Sequence, residues 1–252
     1  MLELEAENFP QGMALARVFL VGAGPGDPEL LTLKAARLLR DADVVLHDSL
    51  VGPAILELVP PAAEIIDVGK RCGKASTAQA DICRLLVEAA LTKKKVIRLK
   101  GGDPSIFGRL TEEIEALRQA HIEFEIIPGI TAASAAAATL QASLTQRHVA
   151  RTLHIITGHG AEQGLPVHNW TALAQAGGTL AVYMGSKYLP WLVKKLLAEG
   201  MSSETPAVSI EWASRPEQRI IHASLARMPE ALMQAAPSGP VLLLIGLAFR
   251  DS

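Results

Sequence analysis

Through the first half of the chain, short apolar runs alternate with segments whose apolar residues recur every three or four positions. The runs at 17–21, 43–46, 65–69 and 96–100 have the length and β-branched content of buried strands. Phe124 and Ile126, alternating with Glu123 and Glu125, add a fifth. Thr32 precedes a segment over 33–40 in which Leu33, Ala36 and Leu39 return at helical spacing, so its side-chain oxygen suits an N-cap. A second helix, with Thr77 as cap, carries Ile82, Leu85, Leu86 and Ala89 on one face and runs into Lys93, Lys94 and Lys95. Thr111 is expected to cap a third, with Glu112 and Glu113 in its first turn. Strand-helix alternation of this kind predicts a parallel α/β architecture.

The texture changes at Pro128-Gly129. A helix of very small residues follows over 130–138, suited either to tight core packing or to the close approach of a flat ligand. Beyond it the pattern predicts strands at 152–157, 179–184, 207–211, 218–223 and 241–246, and helices at 170–175, 188–199 and 229–235. The short connection between 207–211 and 218–223 points to an antiparallel or mixed sheet. The expected organisation is a disordered leader over 1–15, an N-terminal α/β domain over 16–128 and a C-terminal α/β domain over 129–252, with an active-site cleft between the two domains.

Composition narrows the function classes. The chain has 252 residues, 49% of them apolar and 20% charged, with a net charge of −2. This is not a nucleic-acid binder's charge balance, and an anionic partner must meet a local basic patch. The acidic first 14 residues lack the apolar core of a signal peptide. The longest apolar runs, 130–140 and 241–249, fall short of the roughly 18–20 residues that span a bilayer, so no membrane association is expected. Cys72 and Cys83 have no CxxC spacing and the histidines no HExxH, so no metal site is expected and the protein reads as cytoplasmic.

Candidate chemistry centres on 96–109. A strand there runs into Gly101-Gly102-Asp103-Pro104, where missing Cβ atoms let backbone approach a ligand; Arg98, Lys100 and Arg109 frame the loop with positive charge. α/β proteins place ligands at such strand ends, although a plain tight turn has the same signature. Gly22-x-Gly24, with Asp43 or Asp48 some twenty residues on, resembles the start of a dinucleotide fingerprint. Its sixth position is Asp27, however, and Pro25 and Pro28 stiffen the loop, which argues against an NAD-dependent oxidoreductase. Glu112 and Glu113 serve either the helix dipole or the orientation of Arg109.

Several ordered motifs together resemble the tetrapyrrole methylase family, in its uroporphyrinogen-III-methylating branch: VGAGPGDPELLTLKA at 21–35, ADVVLHDSLV at 42–51, VGKR at 68–71, RLKGGDPSIFGR at 98–109, PGITAASAAAA at 128–138, LTQR at 144–147, TGH at 157–159 and YMGS at 183–186. The resemblance implies two α/β domains, usually in a homodimer, that bind S-adenosylmethionine in the cleft between them and release S-adenosylhomocysteine. It assigns Pro25, Gly101, Gly102, Asp103, Ile106, Thr131, Ala132, Met184 and Ala213 to the cofactor. It implies methylation of uroporphyrinogen III at C2 and C7 to precorrin-2 via precorrin-1, feeding sirohaem, cobalamin or haem d1 synthesis. Asp48 is then the proton acceptor and Lys70 the donor, with Arg109 a rival for the first role. Arg71, Arg147 and Arg151, with Lys70 and Arg109, fall to the substrate's carboxylates, and Glu112 is a further substrate-binding residue. Departures from the family pattern, at His47, Leu110-Thr111 and Gln146, lie on the substrate side. They keep open the alternative of a later corrin precursor as acceptor.

Overall fold

The computed structural model describes residues 17–69, 78–92, 95–160 and 166–251. The expected leader over 1–15, Lys70, Arg71 and the Thr77 cap lie outside them.

Five strands, β1 (Val18–Gly22), β2 (Val44–His47), β3 (Glu64–Asp67), β4 (Val96–Lys100) and β5 (Phe124–Ile127), form one wholly parallel sheet. Their order is β3-β2-β4-β1-β5. The intervening helices are α1 (Leu33–Arg40), the single turn α2 (Pro53–Leu56), α3 (Gln79–Leu91) and α4 (Leu110–Gln119). Thr32 caps α1 as its sequence implies, accepting from the Ala35 amide at 3.1 Å.

Strand parity sorts the core into two layers. Phe19, Val21, Val45, Ile97 and Leu99 pack with Ala35, Leu39 and Ile55 of α1 and α2. Their neighbours Val18, Leu20, Val44, Leu46 and Val96 pack with Leu86 of α3 and Leu117 of α4. The helices that follow β1 and β4 therefore lie on opposite faces, although the two strands are adjacent in the sheet. Such a switch point leaves a crevice at the carboxyl ends of the strands, and here those ends are Gly22 and Lys100, paired in register.

The second sheet has the order β6-β7-β10-β8-β9, built from β6 (Leu153–Thr157), β7 (Thr179–Tyr183), β8 (Pro206–Glu211), β9 (Arg219–Ser224) and β10 (Val241–Ile245). It is mixed, as expected: β6 and β7 run parallel, and the other pairs are antiparallel. One face packs against α6 (Trp170–Gln175), α7 (Leu189–Ala198) and α8 (Met228–Ala235). The other receives α5 (Ala132–Thr139), where Ala133 and Ala136 bring the helix against Ala181, Val208 and Leu244.

Two local expectations change. Thr111 does not cap α4, which begins one residue earlier; Arg109, in the left-handed conformation at φ 51°, occupies the cap position without a side-chain bond. Arg98 and Lys100 do not frame the glycine loop. Parity turns both toward α4, where they are buried against Glu113. No helix among the described residues is long and apolar enough to cross a membrane.

Candidate active site

The crevice above β1 and β4 continues into a cleft of about 290 Å³ that both halves of the chain line. The first half supplies Gly24, Pro25, Asp48, Leu50 and the loop from Gly101 to Gly108. The second supplies Thr131, Ala132, Tyr183, Met184, Ile210, Trp212, Ala213, Arg215 and the start of β10. All nine residues expected around a cofactor lie in this wall: Pro25, Gly101, Gly102, Asp103, Ile106, Thr131, Ala132, Met184 and Ala213.

Backbone builds the floor. Gly24 and Gly102 exchange two amide hydrogen bonds, at 3.1 and 2.7 Å, which tie the loop after β1 to the loop after β4. Gly102 adopts φ +70°, where a side chain would be strained, although a Cβ there would meet nothing within 4 Å. Gly129 is different: a Cβ would stand 2.3 Å from the Gly102 carbonyl oxygen, so the chain entering α5 touches the loop only because that residue is glycine. Asp103 pins the loop further, its two carboxylate oxygens accepting from the Ser105 amide at 2.8 Å and the Gly129 amide at 2.9 Å.

Tyr183 closes the opposite wall. Its hydroxyl meets Thr131 Oγ1 at 2.5 Å and accepts from the Ala133 amide at 2.9 Å. Burial raises its ionisation above the usual phenol range, so it remains a neutral hydroxyl. The Phe107 ring packs against it at 5.4 Å between centroids. Phe107, Met184, Trp212 and Ser214 all have positive φ near the cleft, a local concentration of strained backbone.

Beneath Asp48 lies a buried chain of charge. Arg98 Nη2 donates to Asp48 Oδ1 at 2.5 Å, and Arg98 Nε donates to Glu113 Oε1 at 2.9 Å. Lys100 Nζ donates to both Glu113 oxygens at 2.8 Å. The Arg98 and Lys100 side chains are 2% exposed and that of Glu113 is 0% exposed. Two anions and two cations balance, which is the condition under which buried charges persist. Burial depresses the proton affinity of Arg98, but Asp48 and Glu113 outweigh it and hold the guanidinium charged. Burial and the repulsion of Arg98 pull the Lys100 ammonium below the ordinary lysine range, with Glu113 opposing.

The remaining expected site residues are placed differently. Arg109 and Glu112 pair with each other at 2.9 Å, in side chains 61% and 42% exposed, just beyond the lining residue Gly108. Arg147 and Arg151 are exposed beside the tight turn that bridges Gln146 and Ala150, and neither lines the cleft. Reading the sequence missed the buried partner Glu113 and the wall residues Tyr183, Trp212 and Arg215. Glu113 had a signal: it stands four residues before Leu117, on the inward face of α4, opposite two cations at i and i+2 of a buried strand.

The family model described as Tetrapyrrole (Corrin/Porphyrin) Methylases matches residues 17–229. A siroheme synthase of Azotobacter vinelandii is 46% identical over 94% of this chain and 51% of its own length. The chain thus spans about half the length of the curated relatives it matches. Among solved structures, a uroporphyrin-III C-methyl transferase from Thermus thermophilus complexed with S-adenyl homocysteine superposes with a TM-score of 0.80 at 39% identity, covering 94% of this chain and all of that one. A cobalt precorrin-4 methyltransferase superposes with a TM-score of 0.83 at 28% identity, covering 92% of this chain and 95% of that one.

Proposed function

Because the chain belongs to the tetrapyrrole methylase family, we propose that it is an S-adenosylmethionine-dependent C-methyltransferase that converts uroporphyrinogen III to precorrin-2. The methyl groups go to C2 and C7, through precorrin-1, and the product feeds sirohaem, cobalamin or haem d1 synthesis. The observation that carries this reading is the convergence of all nine expected cofactor residues on one cleft that also holds Asp48.

The wall fits the cofactor. A sulfonium needs carbonyl oxygens and a polarisable thioether rather than a cation beside it. Gly101, Gly102 and Asp103 offer backbone without side-chain obstruction, and Met184 supplies the thioether. Small residues at Thr131, Ala132 and Ala213 leave room for flat groups. When bound, S-adenosylmethionine supplies an electrophilic methyl group.

The chain's own part is positioning and proton handling. We assign Asp48 as the proton acceptor. Arg98 occupies its Oδ1, and Oδ2 has no partner among the described residues. The buried Arg98–Glu113–Lys100 chain, tied to Asp48 through Arg98, fixes the angle of the Asp48 carboxylate. Lys70 as proton donor and Arg71 as a substrate contact belong to the same proposal, although both lie outside the described residues. Arg109, oriented by Glu112, and Arg147 and Arg151 are assigned to the acceptor's carboxylates outside the cofactor wall. A division into domains at 128/129, a homodimer and a cytoplasmic setting complete the proposal. One sheet on each side of that division supports the first, and the free Cys83 thiol suits a reducing compartment.

A later corrin precursor is the second reading, favoured by the likeness to the cobalt precorrin-4 methyltransferase. Anaerobic incubation with S-adenosylmethionine and uroporphyrinogen III, followed by mass spectrometry of the oxidised pigments, separates the two. Gain of two methyl groups is expected. No gain, with S-adenosylhomocysteine still bound in a titration, refutes the acceptor and keeps the methyl donor.

A further inference from the structure

Among the described residues that line the cleft, Arg215 is the one cation. The two carboxylates in the same wall are already engaged, Asp48 by Arg98 and Asp103 by the Ser105 and Gly129 amides. Neither forms an ion pair with Arg215, and no other described carboxylate does so. Its guanidinium carries five donors. One nitrogen, Nη2, bonds the Leu50 carbonyl across the cleft, and Nε is buried without a partner among the described residues.

The surroundings hold this side chain in place. The Trp212 ring lies under the guanidinium at 4.4 Å, and the Ser214 hydroxyl accepts from the Asp27 amide at 3.2 Å, clamping the turn to the opposite half. Room for the arginine stem exists because residue 26 is glycine: a Cβ there would stand 2.5 Å from Arg215 Cγ. Burial lowers the proton affinity of Arg215, and only the charge of Glu217 opposes it. A guanidinium fixed by stacking and without an ion pair to a described carboxylate in a ligand cleft is arranged for a planar anion.

We propose that Arg215 binds a carboxylate of the ligand that fills the cleft and is a specificity-determining residue for the methyl transfer. The inference rests on the methyltransferase reading. Two sources offer this chemistry there: the amino-acid carboxylate of the methyl donor and an acetate or propionate arm of the tetrapyrrole.

Calorimetric titration of the full chain, wild type, R215M and R215K, with three ligands tests it. The ligands are S-adenosylhomocysteine, 5′-methylthioadenosine (which lacks the amino-acid carboxylate) and the stable oxidised uroporphyrin III. A charge-assisted pair of this kind corresponds to roughly ten- to hundredfold in affinity. If the donor's carboxylate is bound, R215M loses about that factor for S-adenosylhomocysteine and nothing for methylthioadenosine. If the acceptor's is bound, only uroporphyrin III weakens. R215K retains charge without the planar fork and falls between. Unchanged affinity for all three ligands overturns the inference. So does an equal loss for S-adenosylhomocysteine and methylthioadenosine, which makes Arg215 only a latch on Leu50. Failure of wild type to bind S-adenosylhomocysteine refutes the methyltransferase reading itself.

Discussion

Glu113→Gln removes the one anion that holds two buried cations, and its cost can be worked from the geometry. The carboxylate accepts from Arg98 Nε at 2.9 Å and from Lys100 Nζ at 2.8 Å on each oxygen, with no exposure of its side chain. Asp48 remains beside Arg98, so the four-group cluster passes from balance to a net charge of +1. Breaking a buried pair by removing one partner costs about 3–5 kcal/mol. With a urea m-value of about 3 kcal/mol/M, the unfolding midpoint falls by about 1–1.7 M. The pH dependence fixes the sign. Lys100 is already held below the ordinary lysine range in the folded chain. Between that lowered value and the unfolded value of about 10.4, the unfolded chain carries the proton and the folded chain does not, so stability rises with pH across that window. Loss of Glu113 deepens the depression, so the variant regains more stability than wild type as pH rises from 7 to 10. Urea unfolding at several pH values measures both effects. A loss below about 1 kcal/mol at pH 7, or a wild-type slope in the variant, refutes the buried ion chain.

The remaining predictions probe the two sides of the cleft. Gly129→Ala places a Cβ 2.3 Å from the Gly102 carbonyl and forces the loops apart, so calorimetry should show S-adenosylhomocysteine binding weakened at least tenfold. Asp48→Asn should lower kcat by about a hundredfold or more in the pigment assay while leaving S-adenosylhomocysteine affinity within about twofold, a split expected when a proton acceptor is removed. Arg109→Ala and Arg147→Ala should raise the KM for the tetrapyrrole and spare cofactor affinity, since neither side chain lines the cleft. Full activity in both variants removes them from the acceptor's site.

Periodicity and turn chemistry carried most of the architecture. The strand that runs into Gly102 and the cap at Thr32 follow from local residue choice, because a β-branched run and an N-cap oxygen act over a few positions. Errors came where tertiary partners decide. Arg98 and Lys100 read as a positive frame from their position beside the glycine loop, whereas their common face on the strand decides where they go. Two residues apart on a strand, both turn to α4, and the acid that meets them lies 13–15 residues on. Arg109 displaced Thr111 from the cap because the glycine loop delivers it in the left-handed conformation, which no helical pattern announces. Arg215 was beyond local reading altogether: its partner Leu50 is 165 residues away, on the other half of the molecule.

The split between the two sides of the cleft also explains why fold likeness alone does not choose the acceptor. The superposition on the cobalt precorrin-4 methyltransferase is as close as that on the uroporphyrin-III enzyme, yet identity falls from 39% to 28%. A wall that includes Gly101, Gly102, Ala132 and Ala213 offers a ligand mostly backbone, which many sequences reproduce once the strands are in place. Long side chains such as Arg109 and Arg147, proposed above for the acceptor, would recognise by charge and reach, and such residues can change without disturbing either sheet. On the proposed assignment, acceptor choice lies with residues outside the cofactor wall, except where a cation enters it. Arg215 is that exception, and its response to methylthioadenosine against S-adenosylhomocysteine decides whether the one cation among the described lining residues serves the donor or the acceptor.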